Sequence, residues 1–271
     1  MAQESSHGTL ISTAEQLQRN LRQSISVRVL DASPLRTYRA AHIPDAIHVF
    51  WQDTVDANYP VFGAVVTQGF EQEQRLAVLR RFGVLPTDDI VVYDDVSGFR
   101  ASRIVWFLAL LGFDRVSILD GGLDGWRRAG GSVESGVVDS PAISPIVAPR
   151  EGYYVVTEAL RTRIERADTT VLDIRSASER ADTLDGQLPL GTIPTSLSWP
   201  WPTVIDPDHG ALLAVDQLMM QVGDLNLTPD RDIVVFGRFG VECAFVAGPA
   251  ITRLPARADL RPGLGGMGTN A

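Results

Sequence analysis

The chain has 271 residues, of which 45% are hydrophobic and 21% are charged, enough apolar content for one large domain or two of ordinary size. Its net charge of −9 and its pI near 4.9 argue against a nucleic-acid partner, because such binding uses clustered Lys and Arg to neutralise phosphates. A single cysteine, Cys243, excludes an internal disulfide and a multi-cysteine metal site.

The remaining composition favours neither a metal site nor a membrane anchor. The four histidines (His7, His42, His48 and His209) are scattered and lack the spacing of zinc ligands. The first ten residues are polar, and no stretch approaches the roughly 18 apolar residues that span a bilayer. We therefore expect a cytoplasmic protein without a metal or a cofactor, in the reducing compartment that a single cysteine also suits.

The first predicted elements alternate between helix and strand. Ser12 and Glu15 have the spacing of a capping box, which predicts a helix start. Val27–Asp31 and residues 90–93 are apolar runs without alternation, typical of strands that are covered on both faces of a parallel sheet. Residues 101–113 carry apolar side chains at helical spacing and predict a helix.

The second half of the chain repeats the first in order and spacing. Residues 89–94 (DIVVYD) recur 143 positions later as residues 232–237 (DIVVFG). The VLD of residues 29–31 recurs 142 positions later at 171–173, and a looser match joins the segment around Thr13 to that around Thr157. Because short chance matches do not keep a common offset, we infer a duplicated unit.

Two such units predict an α/β fold in which each parallel sheet is flanked by helices. Residues 135–152 contain three prolines and no hydrophobic period, which indicates a semi-extended linker. The predicted domains are therefore 9–134 and 153–271. The second copy contains Gly248 and Pro249 after its loop, and a proline inside a helix costs about 3 kcal/mol unless the helix ends there.

The segment after the second copy's apolar strand, residues 237–244 (GRFGVECA), joins a glycine-containing loop to a helix start. Ligands bind at the carboxyl ends of strands in open α/β sheets, and such a loop can direct backbone N–H groups at an anion. The segment is similar to the Cys-x-x-Gly-Val-x-Ala loop of the tandem rhodanese family, the thiosulfate and 3-mercaptopyruvate sulfurtransferases. Residues 41–46 (AHIPDA), 119–126 (LDGGLDGW) and 173–175 (DIR) resemble further family motifs.

The resemblance covers residues 9–263 and is strongest to actinobacterial-type members with a Tyr-Asp-Asp loop in the first domain. It implies two rhodanese-like domains, of which the first is non-catalytic. It also implies transfer of a sulfane sulfur from thiosulfate or 3-mercaptopyruvate to a thiol or cyanide, through a persulfide on a loop cysteine. Gly237 stands where that cysteine is expected, so we expect an inactive or weak enzyme.

The resemblance further implies a set of substrate-binding residues, namely Arg175, Arg238, Phe239, Gly240 and Val241. Arg175 either binds an anionic substrate or forms a structural ion pair, and Arg238 either favours a bound anion or is solvated. Cys243 is either a displaced nucleophile or a small buried hydrophobe, as free cysteines often are. Asp94 and Asp95 could suggest acid–base chemistry, but a non-catalytic first domain favours a capping or interdomain role.

Three functions remain open from the sequence. The first is a sulfurtransferase by descent with little or no activity. The second is a non-catalytic module that holds a sulfur oxyanion or the acidic segment of a protein partner. The third is an active enzyme that uses Cys243. The expected partners are a small sulfur-containing anion or a thiol acceptor, with neither nucleic acid nor membrane, and the oligomeric state stays open.

Overall fold

The computed structural model describes residues 11–23, 26–54, 72–96, 98–150, 155, 157–166, 168–181, 191–207, 212–225, 227, 231–237 and 240–250. These residues form two compact units, the first from 11–54 and 72–150 and the second from the described residues between 155 and 250. Within these described ranges, no helix is long and apolar enough to cross a lipid bilayer.

The first unit is a parallel five-stranded sheet with helices. Its strands are β1 (Ile11–Ser12), β2 (Val27–Asp31), β3 (Ile47–His48), β4 (Asp89–Tyr93) and β5 (Val116–Leu119), in the order β1-β5-β4-β2-β3. Its helices are α1 (Ala14–Arg22), α2 (Leu35–Ala40), α3 (Gln72–Phe82), α4 (Phe99–Leu110) and α5 (Gly122–Arg128). The unalternating run of β4 is buried from Ile90 to Tyr93, as the sequence predicts for a strand covered on both faces.

The predicted capping box is wrong by one position. Ser12 belongs to β1, and the N-cap of α1 is Thr13, whose side chain accepts a hydrogen bond from the backbone N–H of Gln16. The Gln16 side chain in turn accepts from the Thr13 backbone N–H at 2.8 Å. Glu15 lies in the first turn, where its carboxylate suits the helix dipole.

The segment predicted as a linker contacts the first unit as far as Arg150. The backbone N–H of Val138 donates to the Tyr38 hydroxyl at 2.9 Å, and the Ser140 hydroxyl donates to the Arg80 carbonyl at 3.1 Å. The backbone N–H of Arg150 donates to the Leu110 carbonyl at 2.7 Å. These contacts explain why residues 135–150 fall within the first compact unit.

The second unit has a parallel sheet with the strand order β7-β6-β8 among its described residues. The strands are β6 (Thr169–Asp173), β7 (Leu197–Ser198) and β8 (Asp232–Phe236), and the helices are α6 (Thr157–Ile164), α7 (Ala177–Ala181), α8 (Val215–Asp224) and α9 (Gly240–Phe245). A π-helical turn, Val246–Ala250, continues α9. The predicted helix break is therefore met by ending the α-helix before Gly248 and Pro249.

The two units confirm the predicted duplication in their register and in their cores. Asp31 is opposite Tyr93 in the β2–β4 pair, and Asp173 is opposite Phe236 in the β6–β8 pair. One core contains Leu17, Val29, Val91 and Tyr93, and the other contains Leu160, Val171, Val234 and Phe236. Residues 142 or 143 positions apart therefore fill equivalent places in the two hydrophobic cores.

Candidate functional site

The loop after β4 is built around one buried carboxylate. Asp94 is fully buried, and its Oδ1 accepts the backbone N–H groups of Val96 and Gly98, both at 2.8 Å. Its Oδ2 accepts the backbone N–H groups of Arg100 at 2.6 Å and Ala101 at 2.9 Å. The carboxylate therefore caps α4 and occupies the place that an anionic ligand would take at a helix N-terminus.

Asp95 has a separate set of partners. Its Oδ1 accepts a hydrogen bond from the Arg100 guanidinium at 2.7 Å, and its Oδ2 accepts one from the Thr37 hydroxyl at 3.3 Å. Because Asp94 binds backbone N–H groups and Asp95 binds partly exposed side chains, the two carboxylates do not form an acid–base pair. The predicted capping role of Asp94 is confirmed.

The glycines of the LDGGLDGW motif lie against this loop. Gly122 has a φ of +55°, and a Cβ there would collide with the Asp94 carbonyl oxygen. The Leu123 N–H also faces that carbonyl, at 3.4 Å. The motif thus packs directly against the backbone of the loop after β4. In the sequence, only its paired glycines indicate this role.

The position in the second unit that corresponds to Asp94 is a glycine, which has no side chain. Gly237 follows β8 directly, 143 positions after Asp94. A Cβ at Gly237 would lie 3.0 Å from Cγ1 of Ile174 and 3.2 Å from Sγ of Cys243. Such contacts are tight, so both neighbours would have to shift by a few tenths of an ångström to admit a side chain.

Cys243 lies in α9 and is buried, with 2% of its surface exposed. The sequence correctly predicts that Cys243 lies in a helix after the loop. It does not predict that the Cys243 Sγ lies close to Gly237. Of the predicted binding residues, Gly240 and Val241 begin the same helix, and Val241 is buried. Arg238 and Phe239 lie outside the described residues.

Arg175 forms a buried ion pair. Its Nε and Nη2 donate to Oδ1 and Oδ2 of Asp173 at 3.0 and 2.8 Å, and Nη2 also donates to the Gly191 carbonyl at 2.8 Å. The guanidinium carbon lies 5.1 Å from the ring centroid of Phe236, the residue before Gly237. This geometry matches the structural alternative for Arg175 and also brings a cation to the end of β8.

The first unit has a carboxylate at the place of Asp173 but a serine at the place of Arg175. Asp31 is fully buried, and its Oδ1 accepts the backbone N–H of Ser33 at 2.7 Å. Burial raises the pKa of Asp31, and hydrogen bonds from Ser33 and Tyr93 oppose that rise. Burial and the nearby Asp31 also raise the pKa of Tyr93 far above its ordinary value.

His42 and His48 are held in the first unit by carbonyl oxygens. The ring Nδ1 of His42 lies 2.9 Å from the Tyr38 carbonyl, and Nε2 of His48 lies 2.8 Å from that of Ser33. Both histidine rings contact the ring of Tyr38, whose centroid lies 4.1 Å from that of His42 and 4.9 Å from that of His48. Among the described residues, no group of three or more His, Cys, Asp or Glu could hold a metal ion.

Comparison with known proteins indicates the same class of protein as the fold and the loop sequences do. Residues 13–129 match the family model of the rhodanese-like domain. The chain is 29% identical to a Mycobacterium tuberculosis protein, provisionally named thiosulfate sulfurtransferase SseB, over 94% of this chain and 92% of that relative. It is also 29% identical to the 3-mercaptopyruvate sulfurtransferase of Escherichia coli, over 80% of this chain and 76% of the relative.

Solved structures share the fold at lower sequence identity. SseA of Escherichia coli matches with a TM-score of 0.71 at 23% identity, over 90% of this chain and 96% of that chain. EanB matches with a TM-score of 0.77 at 14% identity, over 96% of this chain and 65% of that chain. The protein is thus an α/β protein of two parallel-sheet units with rhodanese topology. Its first unit carries the rhodanese-like domain over residues 13–129.

Proposed function

We propose that this chain is a sulfurtransferase-like rhodanese whose second unit receives a small sulfur-containing anion or a thiol, and whose turnover is absent or weak. The observation that carries the proposal is Gly237 at the end of β8, where the family loop has its cysteine. Sulfur transfer needs a thiolate that attacks the sulfane sulfur of thiosulfate, releases sulfite and keeps a persulfide until an acceptor removes it. A glycine offers no sulfur for the first step.

The names of the relatives support the reaction class. The matched proteins of Mycobacterium tuberculosis and Escherichia coli are named for thiosulfate and 3-mercaptopyruvate, so these two compounds are the donors to test first. We further propose a cytoplasmic location, which suits a chain with one cysteine.

The direct test is sulfur transfer from thiosulfate or 3-mercaptopyruvate to cyanide and to a small thiol. We expect the wild-type protein and a Cys243→Ser variant to give the same background rate, while an active relative assayed in parallel gives turnover. A wild-type rate of roughly 1 to 10³ per second that disappears in Cys243→Ser would refute the proposal.

One observation favours a second candidate, an enzyme that uses Cys243. Its Sγ lies 3.2 Å from the point at which a Cβ at Gly237 would stand, so a thiol is present beside the expected position although it comes from α9. Its burial keeps substrates from the sulfur in this conformation. Mass measurement of Cys243 after thiosulfate treatment separates the two candidates, because only the second predicts an added sulfur atom.

A binding role without turnover is favoured by the cation of Arg175 next to the end of β8. Thermal unfolding with sulfate, thiosulfate or mercaptopyruvate tests it, since a ligand present at 100 times its Kd adds about 2.7 kcal/mol to the unfolding free energy. Arg238 is the other arginine predicted to bind the anion, so Arg238→Ala should abolish the stabilisation. Arg163 pairs with Asp232 at 3.1 Å, so Arg163→Ala should leave the stabilisation unchanged. Equal stabilisation of both variants would assign the anion to another site.

A further inference from the structure

The ring of His42 is fully buried between two oxygen atoms. Nδ1 lies 2.9 Å from the carbonyl oxygen of Tyr38, and Nε2 lies 3.2 Å from Oε1 of Glu134. The ring also stacks on the Tyr38 ring, with centroids 4.1 Å apart and planes inclined by 22°. Stacking and burial fix the ring plane, so both nitrogens are held toward these oxygens.

Both partners of His42 are acceptors. A backbone carbonyl cannot donate, and an ionised carboxylate cannot donate either, whereas a neutral imidazole carries only one N–H. The Glu134 side chain is 42% exposed, and its Oε1 also accepts the backbone N–H of Asp45 at 2.8 Å, two conditions that suit a carboxylate. Both contacts of His42 are therefore hydrogen bonds only when both ring nitrogens carry a proton.

Glu134 begins a segment that is bonded to the end of α2. The backbones of His42 and Glu134 exchange two hydrogen bonds of 2.9 Å as an isolated antiparallel bridge. The Gly136 N–H donates to the Arg39 carbonyl at 3.1 Å, and the Val138 N–H donates to the Tyr38 hydroxyl at 2.9 Å. Residues 134–138, which we call the strap, are thus attached along one side to residues 38–42.

We propose that His42 is an imidazolium that clasps the strap to the end of α2, and that loss of one ring proton loosens the strap. A neutral ring with its proton on Nδ1 would present a lone pair to the Glu134 carboxylate, so an attraction becomes a repulsion between two acceptors. Four backbone bonds of the strap, two exchanged between Glu134 and His42 and one each from Gly136 and Val138, then hold the segment without the charged contact.

Other titratable and charged groups lie on the elements that contact His42, its stacking partner Tyr38 or the strap. They are Tyr38 and Arg39 from α2, Asp45 and Glu134 at the carboxylate side, His48 from β3, Asp31 from β2 and Tyr93 from β4. Burial raises the pKa of Tyr38 and of Tyr93, so both phenols stay neutral while a histidine titrates. His48 faces the Ser33 carbonyl and can be followed by its own resonance.

The test follows the ring nitrogens and the strap amides in the full chain. Nitrogen-15 spectra of the assigned His42 ring should show protonated shifts for both Nδ1 and Nε2 at neutral pH, and one nitrogen should change on raising the pH. Hydrogen exchange of the Gly136 and Val138 amides, corrected for intrinsic base catalysis, should lose at least about tenfold of its protection across the same step.

Two strap variants complete the test. Glu134→Gln keeps a carbonyl oxygen but removes the charge, so it should give a singly protonated ring at neutral pH and strap protection that no longer changes with pH. Asp139→Asn removes a carboxylate from the exposed residue next to Val138 and should behave like the wild type. A wild-type ring with one bare nitrogen at neutral pH would overturn the proposal. Strap protection in the wild type that ignores the His42 step would overturn it as well.

Discussion

The loops that follow β4 and β8 occupy the same register in two copies of one unit, yet the residues at their centres differ in charge and in size. Asp94 fills the first loop with a carboxylate that takes four backbone N–H groups. Gly237 leaves the equivalent position of the second loop without a side chain. The strand ends beside them differ in the complementary way, since Arg175 pairs with Asp173 in the second unit and Ser33 stands at its place beside Asp31 in the first.

Under the proposed function, each copy has only some of the groups that sulfur transfer requires. A persulfide needs a ring of N–H donors, a nearby cation and a thiolate at the loop centre. The first unit has the donors but gives them to its own carboxylate. The second unit has a cation at the strand end, and its one thiol, Cys243, is buried in the following helix.

The largest effect should come from breaking the buried Arg175–Asp173 pair of the second unit, whose equivalent positions in the first unit are Ser33 and Asp31. Arg175→Ala leaves Asp173 as a buried carboxylate without its cation, and we expect a loss of about 3–5 kcal/mol in unfolding free energy by urea titration. Arg163→Ala removes an arginine that is 35% exposed and pairs with Asp232, and should cost less than about 1 kcal/mol. Equal losses would mean that burial of the pair does not matter.

The next effect concerns the loop centre of the first unit. Asp94→Ala leaves four N–H groups without their acceptor, and we expect a loss of about 3 kcal/mol in unfolding free energy, with any sulfur-transfer rate unchanged. Asp95→Ala removes only partly exposed contacts to Arg100 and Thr37 and should cost less than about 1 kcal/mol. Loss of an activity at an unchanged melting temperature would make the first unit the active one.

A thiol placed at each loop centre sharpens the comparison. In a Cys243→Ala background, Asp94→Cys puts sulfur among the N–H donors, which stabilise a thiolate and should lower the thiol pKa. Gly237→Cys puts it against Ile174 and should react about tenfold more slowly with an alkylating agent at neutral pH. With Cys243 retained, the Gly237→Cys thiol should also form a disulfide with it on oxidation, so persulfide rescue from thiosulfate should be weak. Family-like turnover from Gly237→Cys alone would contradict this account.

The smallest effect is the pH dependence of the aspartate that lacks an arginine. Burial raises the pKa of Asp31 in the folded state above its ordinary 3.8, so the unfolded chain gives up this proton first as the pH rises. The folded state therefore loses stability on passing from below 3.8 through the raised pKa. Asp31→Asn removes this titration. In urea unfolding, the stability of the variant relative to the wild type should therefore rise as the pH rises through that range. A difference in unfolding free energy between the two proteins that stays constant with pH would contradict this prediction.

Much of the fold could be predicted because it depends on local patterns. β2 coincides with its predicted limits, β4 begins one residue before its predicted start, and the near-constant offset predicted the matching registers. α4 begins two residues before and ends three residues before the predicted helix of 101–113, because Leu111 serves as its C-cap and Gly112 has a φ of +96°. The capping box failed by one residue because both Ser12 and Thr13 are good N-caps and only strand pairing excludes Ser12.

The site could be predicted only in its residue types. The glycine at position 237 is visible in a sequence, but its distance to the Cys243 sulfur depends on how α9 leaves the loop. The partner of Arg175 lies two residues away along the chain, so the sequence allowed an ion pair without choosing it. The four N–H donors around Asp94 come from residues spread over the loop and the first turn of α4, a convergence that no residue type signals.

The π-helical turn Val246–Ala250 also matters for how this chain is aligned with its relatives. A π-turn takes up about one residue more than an α-turn over a similar rise, and each extra residue turns the following side chains by roughly 100°. The α-helical phase of Gly240–Phe245 therefore does not extend unchanged through Val246–Ala250. Residue roles transferred from a relative by alignment should therefore be checked separately for Gly240–Phe245 and for Val246–Ala250.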